Sequence, residues 1–146
     1  MNIAIAGSSG YIAGFLVDSF KNKPEINRIL KIGRTKSDII LDLAEPARFD
    51  YSSLDNIDYV IFTAAISGPD QCAEKFDLCW HVNVDGTAFF ISEAVKRRCK
   101  ILFFSSDAVF GNIPGKIYTE ESETVPLTPY GRMKPAGENK LINSEY

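Results

Sequence analysis

The chain has 146 residues, 45% of them hydrophobic and 24% charged, with a formal net charge of −3. That length suits one domain, residues 1–146, with a sizeable core. The mild acidity, with no basic block, argues against nucleic acid or an anionic membrane surface as the main partner. The first apolar run is too short and lacks the basic flank of a signal peptide, and no stretch reaches membrane-spanning length. Cys72, Cys79 and Cys99 are odd in number and form no C-x-x-C, which together with those absences predicts a reduced, cytoplasmic setting. His81, the sole histidine, is read as packed or capping, and no metal site is expected.

Asn2–Ala6 is a short apolar run with β-branched residues, the length of a buried strand. Gly7-Ser8-Ser9-Gly10-Tyr11-Ile12-Ala13-Gly14 follows at once, and Phe15, Leu16, Val17 and Phe20 then recur at helical spacing. Strand, glycine turn and helix in that order open a nucleotide-binding βαβ unit. Glycine allows the tight turn, backbone amides reach a pyrophosphate, and the helix N-terminus adds partial positive charge. The glycines are not spaced as G-x-G-x-x-G; Gly7, Gly10 and Ala13 give G-x-x-G-x-x-A. Lys23-Pro24 ends the helix, and Arg28–Ile32 reads as a second strand closing on Gly33-Arg34. Asp38–Leu41 is a short third strand, and 45–54 a poorly periodic connection of one or two helical turns. Tyr59–Phe62 is a fourth strand running into Thr63-Ala64-Ala65, Phe76–Arg98 a long helix, and Ile101–Phe104 a fifth strand ending in Ser105-Ser106-Asp107. After a loop from Gly111 to Pro129, Thr128-Pro129 supplies an N-cap and a first-position proline for a last helix. Alternating strands and helices predict an α/β fold: a doubly wound parallel sheet, Rossmann-like, with its site at the carboxyl ends of the strands.

Two further patterns carry chemistry. The acidic residue that often ends the second strand and binds the adenosine ribose is replaced by Arg34, with Lys36 near it. A guanidinium there suits a 2′-phosphate, which favours NADP, with NAD as the alternative. Tyr130 and Lys134 stand four apart on the last helix and share a face. A free phenol, with a pKa of about 10, is a poor catalyst at neutral pH, and a neighbouring ammonium is expected to lower it. A hydroxyl of Ser105-Ser106 is placed to hold a substrate carbonyl.

The chain resembles the extended short-chain dehydrogenase/reductase family, and within it the dTDP-4-dehydrorhamnose reductase branch. The resemblance rests on Gly7–Ala13, Asp42-Leu43, Thr63-Ala64-Ala65, His81-Val-Asn83-Val-Asp-Gly86-Thr87, Ser105–Gly111 and Pro126–Glu138, in family order across almost the whole chain. It implies that Tyr130 is the proton donor to a 4-keto group and that Lys134 bonds the nicotinamide ribose and lowers the tyrosine pKa. Ser106 would hydrogen-bond the carbonyl, and Asn83 would contribute to the surroundings of the lysine. By the same resemblance Gly7, Ser8, Ser9, Gly10, Tyr11 and Ile12 belong to the cofactor turn. Asp42 and Leu43 would flank the adenine, and Ala64 and Ala65 would line the pyrophosphate and ribose path.

Three departures set further expectations. Pro135 removes a hydrogen bond to the Gly131 carbonyl inside the last helix and is expected to turn Lys134 away from Tyr130. Ile66 stands where the family usually has tyrosine, altering substrate or nicotinamide contacts. Family members continue well beyond the equivalent of Tyr146 to supply the substrate domain, so the chain is read as truncated. It is expected to bind cofactor without turnover and to expose apolar sheet edge that invites a homodimer. The resemblance thus implies reduction of a nucleotide-linked 4-keto sugar. An epimerase or dehydratase of the same superfamily and a non-catalytic NAD(P)-binding regulatory module are the alternatives.

Overall fold

A computed structural model of the chain describes residues 1–143. Five parallel strands form one sheet in the order β3-β2-β1-β4-β5. They are β1 (Asn2–Ala6), β2 (Arg28–Gly33), β3 (Ile39–Ile40), β4 (Tyr59–Phe62) and β5 (Lys100–Phe103). Each lies within two residues of its expected bounds. β1 sits at the centre, with Ile3 paired to Ile29 on one side and to Tyr59 on the other. The chain therefore winds outward in both directions from β1, and a crevice opens at its carboxyl end.

Strand residues alternate between two cores. On one face Ala4, Ala6, Leu30, Ile32, Val60 and Phe62 pack against Phe49, Leu54, Phe90 and Ile91. Phe62 and Phe90 are fully buried, each contributing about 1.5–3 kcal/mol of transfer free energy. On the other face Ile3, Ile5 and Ile61 lie under α1 (Tyr11–Phe20) through Ala13, Leu16, Val17 and Phe20. The connection at 45–54 contains two 3-10 turns, Pro46–Arg48 and Tyr51–Leu54. β5 forms the outer edge, where Leu102 is 53% exposed. No helix among the described residues is long and apolar enough to cross a membrane.

A separate short helix, α2 (Pro69–Glu74), precedes the expected helical segment at 76–98. That segment is one uninterrupted run of α3 (Phe76–Trp80), a π-helical turn (His81–Gly86) and α4 (Thr87–Lys96). The π turn is fixed from outside. A Cβ on residue 86 would collide with the Leu43 carbonyl oxygen, and the exposed His81 ring places Nε2 3.0 Å from the Ala44 carbonyl oxygen. The last helix, α5 (Pro129–Ile142), starts at Thr128, whose hydroxyl accepts from the Gly131 amide at 3.0 Å. α5 runs unbroken through Pro135, correcting the expected local rotation.

Candidate cofactor and proton-transfer site

β1 delivers its last residue into a turn that only glycine fits. Gly7 has φ 88°, and a Cβ there would stand 2.7 Å from the Ala64 nitrogen. The Gly7 and Ser8 amides donate to the Ile32 carbonyl at 2.8 and 3.0 Å, and the Gly10 amide donates to the Gly7 carbonyl at 2.8 Å. Those three amides close the turn and do not point at a ligand, which narrows the expectation that the whole glycine stretch cradles phosphate. Gly10 offers no side-chain cap, so the first-turn amides of Tyr11, Ile12 and Ala13 stay open at the start of α1. The Tyr11 side chain is 82% exposed and packs edge-on against Phe15 at 5.0 Å. Tyr11 and Ile12 thus bring amides to the site, while their side chains do not line the cleft. Ser8 is 8% exposed, and its Oγ is the one buried side-chain nitrogen or oxygen among the described residues without a hydrogen-bond partner. An orphaned hydroxyl beside open helix amides matches a phosphate or ribose oxygen.

A cleft of about 250 Å³ opens between this turn and the ends of β2 and β4. Its lining includes Gly7, Ser9, Gly10, Arg34, Asp42, Leu43, Ala64 and Ala65. A second cleft of about 390 Å³ adjoins it, sharing Arg34, Asp42, Ala65, Ile66 and Val82. Ile66, expected to alter substrate or nicotinamide contacts, lines both clefts, whereas the sequence missed Thr63 and Val82 as lining residues although they flank positions it named. Asp42 is oriented by its own loop, with Oδ1 accepting from the Ala44 amide at 2.9 Å. Arg34 is exposed and forms no ion pair among the described residues. Asn83, on the π turn, clamps the backbone beyond β4. Its Oδ1 accepts from the Ile66 amide at 2.8 Å, and its Nδ2 donates to the Ile66 carbonyl at 2.9 Å. Nδ2 also lies 3.5 Å from Met133 Sδ, so Asn83 ties the cleft wall to α5 next to Lys134. The dinucleotide-sized path, the glycine cradle and the orphaned Ser8 hydroxyl fit an NAD(P) cofactor.

α5 brings Tyr130 and Lys134 together. Lys134 is 5% exposed; its Nζ donates to the Phe104 carbonyl at 2.9 Å and lies 5.7 Å from the Tyr130 ring centroid and 4.8 Å from that of Phe103. Burial pushes the ammonium down to about 8, opposed by the negative charge of Glu138. Tyr130 does not follow the expected direction. Burial raises its phenol above the usual 10, and the neighbouring Cys72 and Asp107 raise it further. The reason is geometric: the lysine is engaged with the Phe104 carbonyl, while the phenol sits among apolar groups that include Ile66 and Met133. Cys72 and Cys79 are buried free thiols in the same cluster, and Cys72 is pushed up to about 11, mainly by burial. The two serines at the end of β5 are in different states. Ser105 Oγ donates to a carboxylate oxygen of Glu138. Ser106 Oγ accepts from the Ala108 amide at 3.2 Å and lies 3.3 Å from Asp107 Oδ1, opening the 3-10 turn Asp107–Phe110. Beside both runs an open groove of about 1070 Å³, lined by Phe103, Phe110, Glu120, Ser122 and Leu141 among others.

Comparison with known proteins gives the chain a family. A family profile described as the NAD dependent epimerase/dehydratase family matches residues 3–145. A dTDP-4-dehydrorhamnose reductase of Sinorhizobium fredii is 30% identical over 139 residues, covering 94% of this chain and 45% of the relative. A UDP-glucose 4-epimerase of Arabidopsis thaliana is 28% identical, covering 91% of this chain and 44% of the relative. Among solved structures, MoeE5 in complex with UDP-glucose and NAD superposes with a TM-score of 0.85 at 25% identity, over 96% of this chain and 48% of that one. The chain therefore spans less than half the length of these relatives.

Proposed function

Since the chain belongs to the NAD-dependent epimerase/dehydratase family, we propose that it supplies the cofactor-binding and proton-transfer half of an NADPH-dependent reductase of a nucleotide-linked 4-keto sugar. One observation carries this reading: Tyr130 and Lys134 share the inner face of α5 beside the carboxyl end of β5. The dinucleotide, when bound, supplies the reducing equivalent; the Ser8 hydroxyl, Ser9 and the amides of Tyr11 and Ile12 would hold its pyrophosphate over the turn that Gly7 and Gly10 shape. Asp42 and Leu43 would flank the adenine, Ala64 and Ala65 would line the ribose path, and Arg34 would take a 2′-phosphate.

At the reacting end Tyr130 donates a proton to the carbonyl oxygen. A phenol raised by burial is fully protonated at neutral pH, the form a proton donor needs. Lys134, reoriented from Phe104 toward a ribose hydroxyl, would then stabilise the phenolate left behind. Ser106 would hydrogen-bond the carbonyl by turning its hydroxyl from Asp107, while the Ser105 hydroxyl is engaged with Glu138. The test is a fluorescence titration of the chain with NADPH and NADH, followed by NADPH consumption on addition of a dTDP-4-keto-6-deoxysugar. Saturable NADPH binding without turnover is expected of these 146 residues alone. Absence of any cofactor binding, or turnover by this chain, overturns the corresponding part.

The similarity to a UDP-glucose 4-epimerase over 91% of the chain supports a second reading, in which the same residues serve epimerisation with the cofactor regenerated in place. NAD⁺ retained through purification, with no net NADPH consumption, would favour it.

A further inference from the structure

Glu138 stands one helical turn beyond Lys134, as Lys134 stands one turn beyond Tyr130, so the three lie along one stripe of α5. Its carboxylate turns toward the sheet, where it accepts a hydrogen bond from Ser105, the residue that leaves β5 next to the Phe104 carbonyl. Lys134 Nζ donates to that same Phe104 carbonyl at 2.9 Å. Two adjacent residues of one strand end are thus held by two residues a turn apart on one helix. Glu138 forms no direct ion pair with Lys134, yet among the described residues it is the charged group that favours the buried ammonium against its desolvation.

We propose that Glu138 is a positioning residue for the Tyr130–Lys134 pair, its carboxylate anchored by Ser105 and serving as the counter-charge of the buried Lys134 ammonium. The inference rests on the reading that Lys134 serves a cofactor ribose and the tyrosine. It assigns Ser105 and Ser106 different tasks: Ser105 fixes helix to strand, and Ser106, whose hydroxyl donates to Asp107, is the one that would turn to substrate. The groups around the lysine are few. Tyr130 and Glu138 face it from its own helix, the Phe103 ring from β5 and the Phe104 carbonyl just beyond it, and neutral Asn83 lies behind Met133 on the π turn. Asp107 from the turn after β5 and Cys72 from α2 act on the Tyr130 phenol. Among the described residues Glu138 is therefore the anion that favours the ammonium at Nζ.

The experiment uses the chain without cofactor, so its outcome is independent of whether NADPH binds. Lysine side chains are ¹³C-labelled, the Lys134 Cε signal is assigned with Lys134→Met, and its titration is followed by NMR in the parent, Glu138→Gln, Glu138→Asp and Ser105→Ala. Glu138→Gln is expected to weaken Lys134 proton affinity roughly tenfold. Glu138→Asp, which keeps the charge, restores most of it, and that rescue is something a merely structural contact would not produce. Ser105→Ala shifts the midpoint in the same direction as Glu138→Gln but less. If Glu138→Gln does not fold, as its amide spectrum reports, Ser105→Ala decides instead. An unchanged midpoint in the deciding variant overturns the proposal. Failure of NADPH to bind the parent chain overturns the functional reading and leaves this result standing.

Discussion

A lysine held near 8 in the folded chain is a pH-dependent liability with a defined sign. Lys134 falls from its ordinary 10.5 to about 8 because burial disfavours the ammonium. Between those values the unfolded chain binds more protons than the folded one, so stability rises with pH through that window. The gain is complete above the unfolded value and is lost as pH falls through about 8; in full it amounts to about 3 kcal/mol. Cys72 works in the opposite sense. Its folded value of about 11 against an ordinary 9 makes stability fall as pH rises above 9. The readout is therefore a difference. Urea midpoints measured from pH 7 to 9.5 should rise more steeply for the parent than for Lys134→Met, and parallel curves would refute the burial account. Tyr130→Phe belongs at the same scale. It removes the donated proton, so sugar reduction in a form that turns over should fall by about 100-fold or more. NADPH affinity measured by fluorescence should stay within a factor of about three.

At the scale of elements, α5 and the π turn hold the site together by opposite devices. α5 tolerates an interior proline at the cost of a bond to the Gly131 carbonyl. Pro135→Ala restores that bond and should stabilise the chain by about 1–3 kcal/mol in urea denaturation, with the Lys134–Phe104 contact intact. The π turn tolerates nothing at Gly86, where the Leu43 carbonyl occupies the space of a side chain. Gly86→Ala must displace backbone and should cost about 2–4 kcal/mol. Because Leu43 lines the cofactor cleft, NADPH affinity should fall with it.

These two elements also mark the boundary of what the sequence makes legible. The β-branched runs at Ile3–Ile5, Arg28–Ile32 and Tyr59–Phe62 announce buried strands locally, and Thr128-Pro129 announces the start of α5. The π turn has no local signature, since His81-Val-Asn-Val-Asp-Gly86 reads as ordinary helix. What imposes it lies 17 residues away at Ile66, which pairs with Asn83, and on the Leu43–Ala44 backbone. The direction of the Tyr130 shift was hidden for the same reason. Lys134 is its neighbour in sequence, while the burial that chiefly raises the phenol, and Cys72 and Asp107 that add to it, come from how other elements pack around it. The engagement of Ser105 by Glu138, 33 residues on, is likewise set by how helix meets strand.

For the whole molecule, the strand order decides where a ligand couples to folding. β1 is paired on both sides, and its carboxyl end feeds the turn whose open amides, orphaned Ser8 hydroxyl and flanking clefts meet at one crevice. A dinucleotide there would touch the ends of β1, β2 and β4 together, so unfolding any of them would release it. Binding to the folded chain alone then stabilises it by about 2.7 kcal/mol at a ligand concentration 100 times Kd. In a domain of this size that is a rise in Tm of roughly 5–10 °C. The two cofactors differ only in the 2′-phosphate, and the exposed guanidinium of Arg34 on the cleft wall, unpaired among the described residues, is the group that would read it. NADPH should therefore raise the melting temperature more than NADH at equal concentration, and Arg34→Ala should erase the difference by lowering the NADPH response to the NADH level. Equal shifts for both cofactors in the parent chain would overturn the assignment of Arg34, while leaving the glycine turn as the common binding element.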